Sequence, residues 1–362
     1  RWAACLILCT APTGACGESA ARRQPEATTP VVRTPEGSGD TNHESVLDRP
    51  YVVLVSFDGF RPDYLDRFDT PSFDRLAETG VTADGLTPVF PSLTFPSHYS
   101  IATGLYPERH GIVGNRFYDP ARGEEFDYRD PDDARDGSWW RGEPVWVTAE
   151  TQGMVSAAFF YPGTEADIRN VRPTHWQPYD SAVPNDTRVE QVLGWLSGPP
   201  ERRPHLVMLY FSMVDGAGHN LGPDAAAMGN AVALADRVLG RLIDGISRLA
   251  HGERVYLVVV SDHGMAPVDA DRQIALPALV DLSGVRAVPM GPGMSLHLDG
   301  DRARGPSLRD ELNARLDGAR AYLRDELPAR LHLGASPRAG DVVVVPGEGV
   351  LVGFRRDASP PV

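Results

Sequence analysis

Acidic residues follow three apolar runs of this sequence at similar positions. The segment "YVVLVSFDG" ends at Asp58, "HLVMLYFSMVDGAGHN" contains Asp215, and "VYLVVVSDHG" ends at Asp262 and His263. Carboxylates brought together in a cleft of low dielectric repel one another unless cations hold them. With His219 and His263 the donors become a mixed nitrogen and oxygen set, which suits zinc or another borderline transition metal. The pattern predicts a metal site.

Each segment also has a less specific interpretation. An Asp-Gly pair after a strand, as at Asp58, is typical of a turn, and "DGAGH" could be a loop with a helix-capping aspartate. The segment "SDHG" is more specific, because an Asp-His pair directly after an apolar run is a poor turn and a good ligand pair. The joint occurrence of the three segments favours a metal site over three unrelated turns.

A stretch of hydroxyl, aromatic and turn-forming residues, "TPVFPSLTFPSHYSIATG", covers residues 87–104. Its prolines exclude a strand and a helix in the first half, whereas "SHYSIATG" predicts a helix from residue 97. Four hydroxyl residues lie before or at the start of that helix: Thr87, Ser92, Thr94 and Ser97. A hydroxyl is a weak nucleophile, and no Ser-His-Asp arrangement is evident nearby. Coordination to a dication would activate a hydroxyl that reached the predicted metal site.

The elements that position these residues are apolar, β-rich runs without polar alternation. Their ranges are 51–57, 154–160, 205–211, 255–261 and 341–345. Such runs indicate strands buried on both faces, as in a parallel sheet covered by helices. Ligands bind at the carboxyl ends of strands in these sheets, which is where the acidic residues lie.

Helical patterns lie between the apolar runs. The segment "DTRVEQVLGWL" begins at Asp186, and residues 223–250 repeat apolar side chains at helical spacing. Alternating strands and helices predict a doubly wound α/β fold, with a mostly parallel central sheet and helices on both faces. Residues 282–340 are less regular and predict a small cap region.

Composition excludes several classes of enzyme. The chain has 362 residues and a net charge of −14, and all 35 of its basic residues are arginine. Without lysine it has no Walker-type phosphate loop, no Schiff-base chemistry and no pyridoxal-phosphate site. The negative charge disfavours a nucleic-acid polymer as a partner.

The N-terminal region has the composition of an export segment. Residues 1–16, "RWAACLILCTAPTGAC", predict a signal peptide or a lipoprotein leader, with Cys16 as the acceptor of a lipid anchor in the second case. Residues 17–47 are polar and predict a disordered linker, and residues 48–362 predict the catalytic domain. We therefore expect an exported protein, whether periplasmic, extracellular or a lipoprotein on the outer surface. A lipid anchor is the one membrane contact expected.

Four segments occur in the order typical of one family: "SFDGFRPDYL", "PVFPSLTFPSHYSIATGLYPERHGIVGN", "VDGAGHNLGP" and "VVVSDHGM". In these segments the chain resembles a bacterial, exported member of the nucleotide pyrophosphatase/phosphodiesterase family of the alkaline phosphatase superfamily. The similarity covers residues 50–270 and is loose over residues 275–350.

The resemblance implies a phosphodiesterase with two zinc ions and a threonine nucleophile, Thr94, which becomes phosphorylated during turnover. It implies that Asp58, Asp262, His263 and the Thr94 oxygen hold one zinc ion. It also implies that Asp215, His219 and a third histidine hold the other.

The same resemblance implies three substrate-binding residues. Asn115 would donate a hydrogen bond to a phosphate oxygen, and Phe95 and Tyr179 would sandwich a nucleotide base. A neutral Asn115 favours a phosphodiester over a monoester, which carries one more negative charge. Phe95 and Tyr179 could equally be packing residues. His98 and His110 are interpreted as structural, because each is a lone histidine at a loop or helix start.

The family's third histidine occurs in a "His-Gly-Tyr" type of segment that has no counterpart here. Neither His297 nor His332 stands in such a context. We expect the sequence to be truncated at its C-terminus; if it ends naturally, the second metal site lacks a ligand.

Two alternatives stay open beside hydrolysis of nucleotide diesters and pyrophosphates. The same metal site could act on lysophospholipid or phosphocholine-type diesters, or on a phosphonate, because aromatic side chains also hold choline. The chain could also be a metal-binding homologue without catalysis, an alternative motivated by the missing histidine.

Overall fold

The computed structural model describes residues 40–354, so the predicted leader (residues 1–16) and the linker up to residue 39 lie outside the described residues. The strands are β1 Tyr51–Phe57, β2 Arg116–Asp119, β3 Glu124–Asp127, β4 Ser156–Phe159, β5 Leu206–Phe211, β6 Val255–Val260, β7 Gln273–Ala275, β8 Val285–Met290, β9 Gly293–Leu298, β10 Ala319–Leu323, β11 Val342–Pro346 and β12 Leu351–Gly353. The α-helices are α1 Tyr64–Arg67, α2 Pro71–Thr79, α3 Thr94–Thr103, α4 Pro107–His110, α5 Pro131–Arg135, α6 Val145–Thr151, α7 Asn185–Leu196, α8 Met213–Leu221, α9 Met228–Ser247 and α10 Gly305–Asn313. No helix in this described range is both long and apolar enough to cross a membrane.

The central sheet contains four parallel strands in the order β4-β5-β1-β6. Strand β1 is central, and its last residue, Phe57, pairs with Phe211 at the end of β5. On the other side Ser56 pairs with Val260, the last residue of β6. The three strands therefore end at one edge, which confirms the predicted α/β fold with a mostly parallel sheet.

Helices cover both faces of this sheet. The Ser56 hydroxyl lies 2.8 Å from the imidazole of His98 in α3. The next side chain, Phe57, packs against Phe73 of α2, with 5.6 Å between the ring centroids. Because successive side chains of a strand point to opposite faces, α2 and α3 lie on opposite sides of the sheet.

Strand β6 differs from the prediction that both its faces are buried. Tyr256 and Val258 are 63% and 42% exposed, whereas the other four residues of the strand are half-buried. Within the described residues β6 pairs only with β1, so it is an edge strand with one face open to solvent.

A second, antiparallel sheet with the order β10-β11-β9-β8 follows the central sheet in the chain. Side chains of this sheet and of α10 form a second apolar core. The sheet lies in the region predicted as a cap, and that role stays a prediction. The apolar run 341–345 belongs here as β11 and not to the parallel sheet. An apolar run without alternation is also what a central strand of an antiparallel sheet buried on both faces shows, so the pattern could not separate the two sheets.

The folded region begins before residue 48, within the segment predicted as a linker. Asn42 is buried, and its side chain donates to the carbonyls of Pro200 and Arg203 and accepts from the amide of Val155. The composition of this segment is polar, like that of a linker. The hydrogen bonds that Asn42 makes with distant residues nevertheless attach the segment to the domain.

Candidate active site

Asp58, Asp215 and His263 meet at the carboxyl edge of the central sheet. Each offers one ligand atom, and these atoms all lie within 4.8 Å of one another. Asp58 follows β1 directly, Asp215 lies in the first turn of α8 after β5, and His263 follows β6. The register of the three strands brings together residues from distant parts of the sequence, with 205 positions between Asp58 and His263.

Asp58 is buried against other acids and one tyrosine. Burial raises the pKa of Asp58 well above its ordinary value, and the carboxylates of Asp262 and Asp215 raise it further. The Tyr210 hydroxyl opposes this shift, because it donates a short hydrogen bond to Asp58 Oδ2. A cation among these carboxylates would offset their repulsion and favour the ionised form of Asp58.

Asp262 is buried between two imidazoles. Its Oδ2 atom lies 3.2 Å from His263 Nε2 and 3.3 Å from His98 Nδ1, while Oδ1 accepts a hydrogen bond from the Gly59 amide. Burial acts to raise the pKa of Asp262, but the neighbouring His98 and His263 outweigh it and lower that pKa to about 2. Asp262 is therefore an anion over the whole physiological range of pH.

His219 lies one helical turn after Asp215 on α8. Its Nε2 atom is 3.4 Å from Asp215 Oδ1. The neighbouring Asp215 carboxylate raises the pKa of His219, although partial burial opposes the shift. The spacing of four residues in "DGAGH" puts both side chains on one helix face. The structure thus brings His219 beside the cluster of Asp58, Asp215 and His263.

Three carboxylate oxygens at this site are buried and accept no hydrogen bond: Asp58 Oδ1, Asp215 Oδ1 and Asp262 Oδ2. Unpartnered buried oxygens are costly in a folded protein unless a ligand satisfies them. Aspartate oxygens and histidine nitrogens together are donors that a divalent metal accepts. The residues present therefore fit a metal ion.

Thr94 is the first residue of α3, three positions earlier than the predicted helix start. Pro96 does not prevent this, because the first turn of a helix leaves its amide donors without partners within the helix. Thr94 Oγ1 lies 3.4 Å from His263 Nε2, so the hydroxyl faces the candidate metal ligands from the N-terminus of a helix. Partial positive charge there stabilises an anion.

Asn115 is tied to the segment that carries Thr94. Its Oδ1 atom accepts a hydrogen bond of 3.0 Å from the amide of Phe95, which leaves the Asn115 NH2 group available as a donor. Asn115 and Thr94 line the same cavity. The side chain is therefore held where it can donate to a group bound beside Thr94.

Phe95 and Tyr179 line the same cavity, which has a volume of about 1060 Å³. Phe95 packs against Tyr128, with 5.1 Å between ring centroids. Tyr179 is exposed, packs edge-on against Phe160 at 5.1 Å, and its hydroxyl lies 3.3 Å from Ser212 Oγ. Both aromatic rings therefore have one side supported by protein and border a space large enough for a nucleotide.

Two residues at the site were missed in the sequence. Tyr210 stands in an apolar run and reads as a core residue, yet its hydroxyl contacts Asp58. The sequence predicts a structural role for His98 but not its contacts, in which Nδ1 lies 2.8 Å from Thr94 O and 3.3 Å from Asp262 Oδ2. The spacing of four residues between Thr94 and His98, one helical turn, could have indicated the contact with Thr94 O.

A third histidine ligand is not found among residues 40–354, where only His219 and His263 of the histidines line the cavity. His297 lies in β9, with Nε2 3.2 Å from Ser295 Oγ. His332 stacks on Tyr106. Neither reaches the metal ligands.

The fold and the site together define a class of protein. A doubly wound sheet that carries aspartate and histidine ligands at its carboxyl edge, facing a threonine at a helix N-terminus, is an alkaline phosphatase-like arrangement. The chain belongs to the type I phosphodiesterase/nucleotide pyrophosphatase family, whose sequence pattern matches residues 52–359. That match extends beyond residue 270, where the clear resemblance of the sequence ended.

Individual relatives agree with this membership. The chain is 36% identical over 329 residues to an uncharacterized pyrophosphatase/phosphodiesterase of Schizosaccharomyces pombe, covering 89% of this chain and 68% of that one. It is 35% identical over 302 residues to human ectonucleotide pyrophosphatase/phosphodiesterase family member 1, covering 81% of this chain but only 32% of the human protein.

A solved structure of murine ectonucleotide pyrophosphatase/phosphodiesterase 5 superimposes with a TM-score of 0.80 at 31% identity, covering 85% of this chain and 82% of that one. The family membership confirms the class of enzyme predicted from the sequence, a phosphodiesterase/nucleotide pyrophosphatase.

Proposed function

We propose that this chain is an exported phosphodiesterase that uses two zinc ions and hydrolyses nucleotide diesters or pyrophosphates through a phosphothreonine intermediate. Asp58, Asp262, His263 and Thr94 would hold one zinc ion. Asp215 and His219 would hold part of the other. The observation that carries the proposal is the Thr94 hydroxyl, 3.4 Å from His263, facing carboxylate oxygens that lack hydrogen-bond donors.

Bound zinc would supply positive charge that favours an ionised Thr94 hydroxyl and offsets charge on the leaving oxygen. Thr94 Oγ1 loses its proton and forms a bond to phosphorus from the side opposite the leaving group. The bond from phosphorus to the leaving oxygen breaks, and that oxygen departs with the electron pair and takes up a proton. A water oxygen then attacks phosphorus, and Thr94 Oγ1 leaves and is reprotonated.

Asn115 and the helix N-terminus act on the non-bridging oxygens in both steps. The Asn115 amide donates a hydrogen bond, and the Phe95 amide holds Asn115 in place through Oδ1. Asn115 carries no charge, so it cannot offset the additional negative charge that a monoester carries and a diester lacks. This difference supports a diester as substrate.

The aromatic walls support a nucleotide. Phe95 and Tyr179 each present one ring to the cavity, and a base that stacks on such rings gains about 1–3 kcal/mol. One solved structure of an inactive variant of the murine relative is in complex with AMP. For this chain, nucleoside phosphodiesters and dinucleotide pyrophosphates are accordingly the proposed substrates.

Export is part of the proposal. Residues 1–16 have the composition of a leader, and Cys16 is the proposed lipid acceptor if the leader is of the lipoprotein type. The human relative is named an ectonucleotide enzyme, and another relative is a venom phosphodiesterase of Crotalus durissus collilineatus. Both names accord with an exported enzyme.

A substrate comparison together with a zinc count tests the proposal. We expect two zinc ions per chain and faster turnover of the p-nitrophenyl ester of a nucleoside monophosphate than of glycerophosphocholine at equal concentrations. Faster turnover of glycerophosphocholine would favour the phosphocholine-type activity instead. Bound zinc without hydrolysis of either substrate would mean a metal-binding homologue.

A further inference from the structure

His98 is a fully buried histidine that no step of the proposed reaction uses. It lies in α3, one turn after Thr94, on the side of the helix that faces the central sheet. The ring of Tyr210 stands edge-on to it, with 5.3 Å between centroids. The imidazole is thus enclosed, and its two nitrogens can contact only the protein groups around them.

Each nitrogen of His98 has a defined partner. Nδ1 lies 2.8 Å from the carbonyl oxygen of Thr94, and Nε2 lies 2.8 Å from Ser56 Oγ. A carbonyl oxygen can only accept, so Nδ1 carries the proton. The Ser56 hydroxyl can donate to Nε2 of a neutral ring or accept from a protonated one, so the proton on Nδ1 is present in either state.

The same Nδ1 atom lies 3.3 Å from Asp262 Oδ2, the oxygen of Asp262 that accepts no hydrogen bond. One N–H group therefore faces both the backbone of the threonine and a carboxylate of the metal cluster. Asp262 Oδ1 is held by the Gly59 amide, so the carboxylate is oriented from two sides.

We propose that His98 is a positioning residue that fixes the position of Thr94 relative to Asp262. Its Nδ1–H group fixes the start of α3 relative to the Asp262 carboxylate, while Ser56 fixes the imidazole on the central strand. Groups that orient metal ligands in this way affect metal affinity or activity by about 10-fold to 100-fold. The inference rests on the proposed function for its kinetic effect, but not for its effect on metal affinity.

Two isosteric variants separate the roles of the two nitrogens. His98→Asn places an amide N–H near the position of Nδ1 and can still donate to Thr94 O. His98→Gln places its amide near Nε2, keeps the Ser56 contact and loses the bond to Thr94. We expect His98→Gln to weaken zinc binding about 10-fold to 100-fold in competition with a chelator and to lower kcat with little change in KM. The zinc affinity and kcat of His98→Asn should each stay within about threefold of the values for the unmodified protein.

His110 offers a matched control. It too is fully buried, but its Nε2 lies 2.9 Å from Ser100 Oγ and its Nδ1 accepts from the backbone amide of Ile112, so its ring nitrogens are bonded to neither Thr94 nor Asp262. His110→Gln should lower the melting temperature as much as His98→Gln does, yet leave zinc affinity and kcat unchanged. Equal effects of the two glutamine variants on zinc affinity would overturn the proposal.

Equal losses of zinc affinity and kcat in His98→Asn and His98→Gln would also overturn the proposal. If His98→Gln does not fold, Ser56→Ala tests the same arrangement, because it frees Nε2 with little change in volume. Ser56→Ala should weaken zinc binding in the same direction, and an unchanged affinity would refute the role of His98. If the unmodified protein binds zinc but hydrolyses no diester, the proposed function fails, while the zinc affinities still decide the role of His98.

Discussion

Gly59 and Asp215 approach each other so closely that a Cβ atom on Gly59 would lie 2.9 Å from Asp215 Cα. Gly59 also has a φ of +68°, a conformation that other residues adopt at a cost. The turn after β1 can therefore deliver Asp58 beside Asp215 only because residue 59 has no side chain.

Gly59→Ala should reduce both stability and metal binding. The backbone strain costs about 1–2 kcal/mol, and the contact with Asp215 adds to it by moving a metal ligand. Gly104→Ala is the matched control, because Gly104 has a φ of +67° but no atom within 4 Å of the added Cβ. Urea unfolding and zinc stoichiometry measure the two effects. Equal zinc binding by Gly59→Ala and Gly104→Ala would contradict the role given to Gly59.

Thr94→Ala should lower turnover of a phosphodiester by at least about a thousandfold, since it removes the attacking oxygen. Zinc content should stay close to that of the unmodified protein, because the aspartates and histidines remain. Ser92→Ala is the control, because Ser92 is another hydroxyl residue of the same cavity. Turnover that survives in Thr94→Ala would show that a different group attacks phosphorus.

Asp262→Asn should remove one of the two proposed zinc ions, because the amide lacks the charge that Asp262 keeps with a pKa of about 2. Metal analysis of the purified variant measures this. Asp341→Asn is a control from the second sheet, where Asp341 Oδ2 accepts from the Leu298 amide outside the cavity. Full zinc occupancy in Asp262→Asn would exclude Asp262 as a ligand.

Tyr210→Phe should move zinc binding to higher pH. The Tyr210 hydroxyl lowers the pKa of Asp58, which burial and the neighbouring carboxylates otherwise raise. Without that hydroxyl the pKa of Asp58 rises further, so protons compete with zinc up to a higher pH. At the lowest pH measured, we expect Tyr210→Phe to bind zinc about tenfold more weakly than the unmodified protein.

Tyr161→Phe serves as the control for this series, because its hydroxyl donates to the carbonyl of His98 and not to a carboxylate. Zinc affinity between pH 5 and 8 measures the shift in each variant. Identical pH profiles for Tyr210→Phe and the unmodified protein would contradict the role given to Tyr210.

Phe95→Ala should raise KM for a nucleotide ester more than for a small aromatic phosphodiester, because loss of a stacked ring costs about 1–3 kcal/mol per base. Steady-state kinetics on both substrates measure the difference. Phe126→Ala removes a ring that packs on Phe95 from outside the cavity. If both variants change the two KM values equally, Phe95 is a packing residue.

The parallel sheet and its edge were predictable from the sequence because the strands end in acids, and a shared edge follows from parallel pairing. The second sheet was not, because β11 has the same apolar pattern as the parallel strands. His98 and Tyr210 were missed for a similar reason: their side chains are buried like core residues, and only the fold shows that polar atoms of both face Asp262 and Asp58.

The order of the central sheet also has a consequence for how the protein folds. Strand β1 pairs with β5 and β6, which lie about 150 and 200 residues further along the chain, so it closes long loops before it gains its contacts. Asp58, Asp215 and His263 belong to these three distant segments, so no partly folded chain can gather them. A metal ion that needs all three binds only after the sheet has closed, and such binding then draws the folding equilibrium toward the native state by mass action.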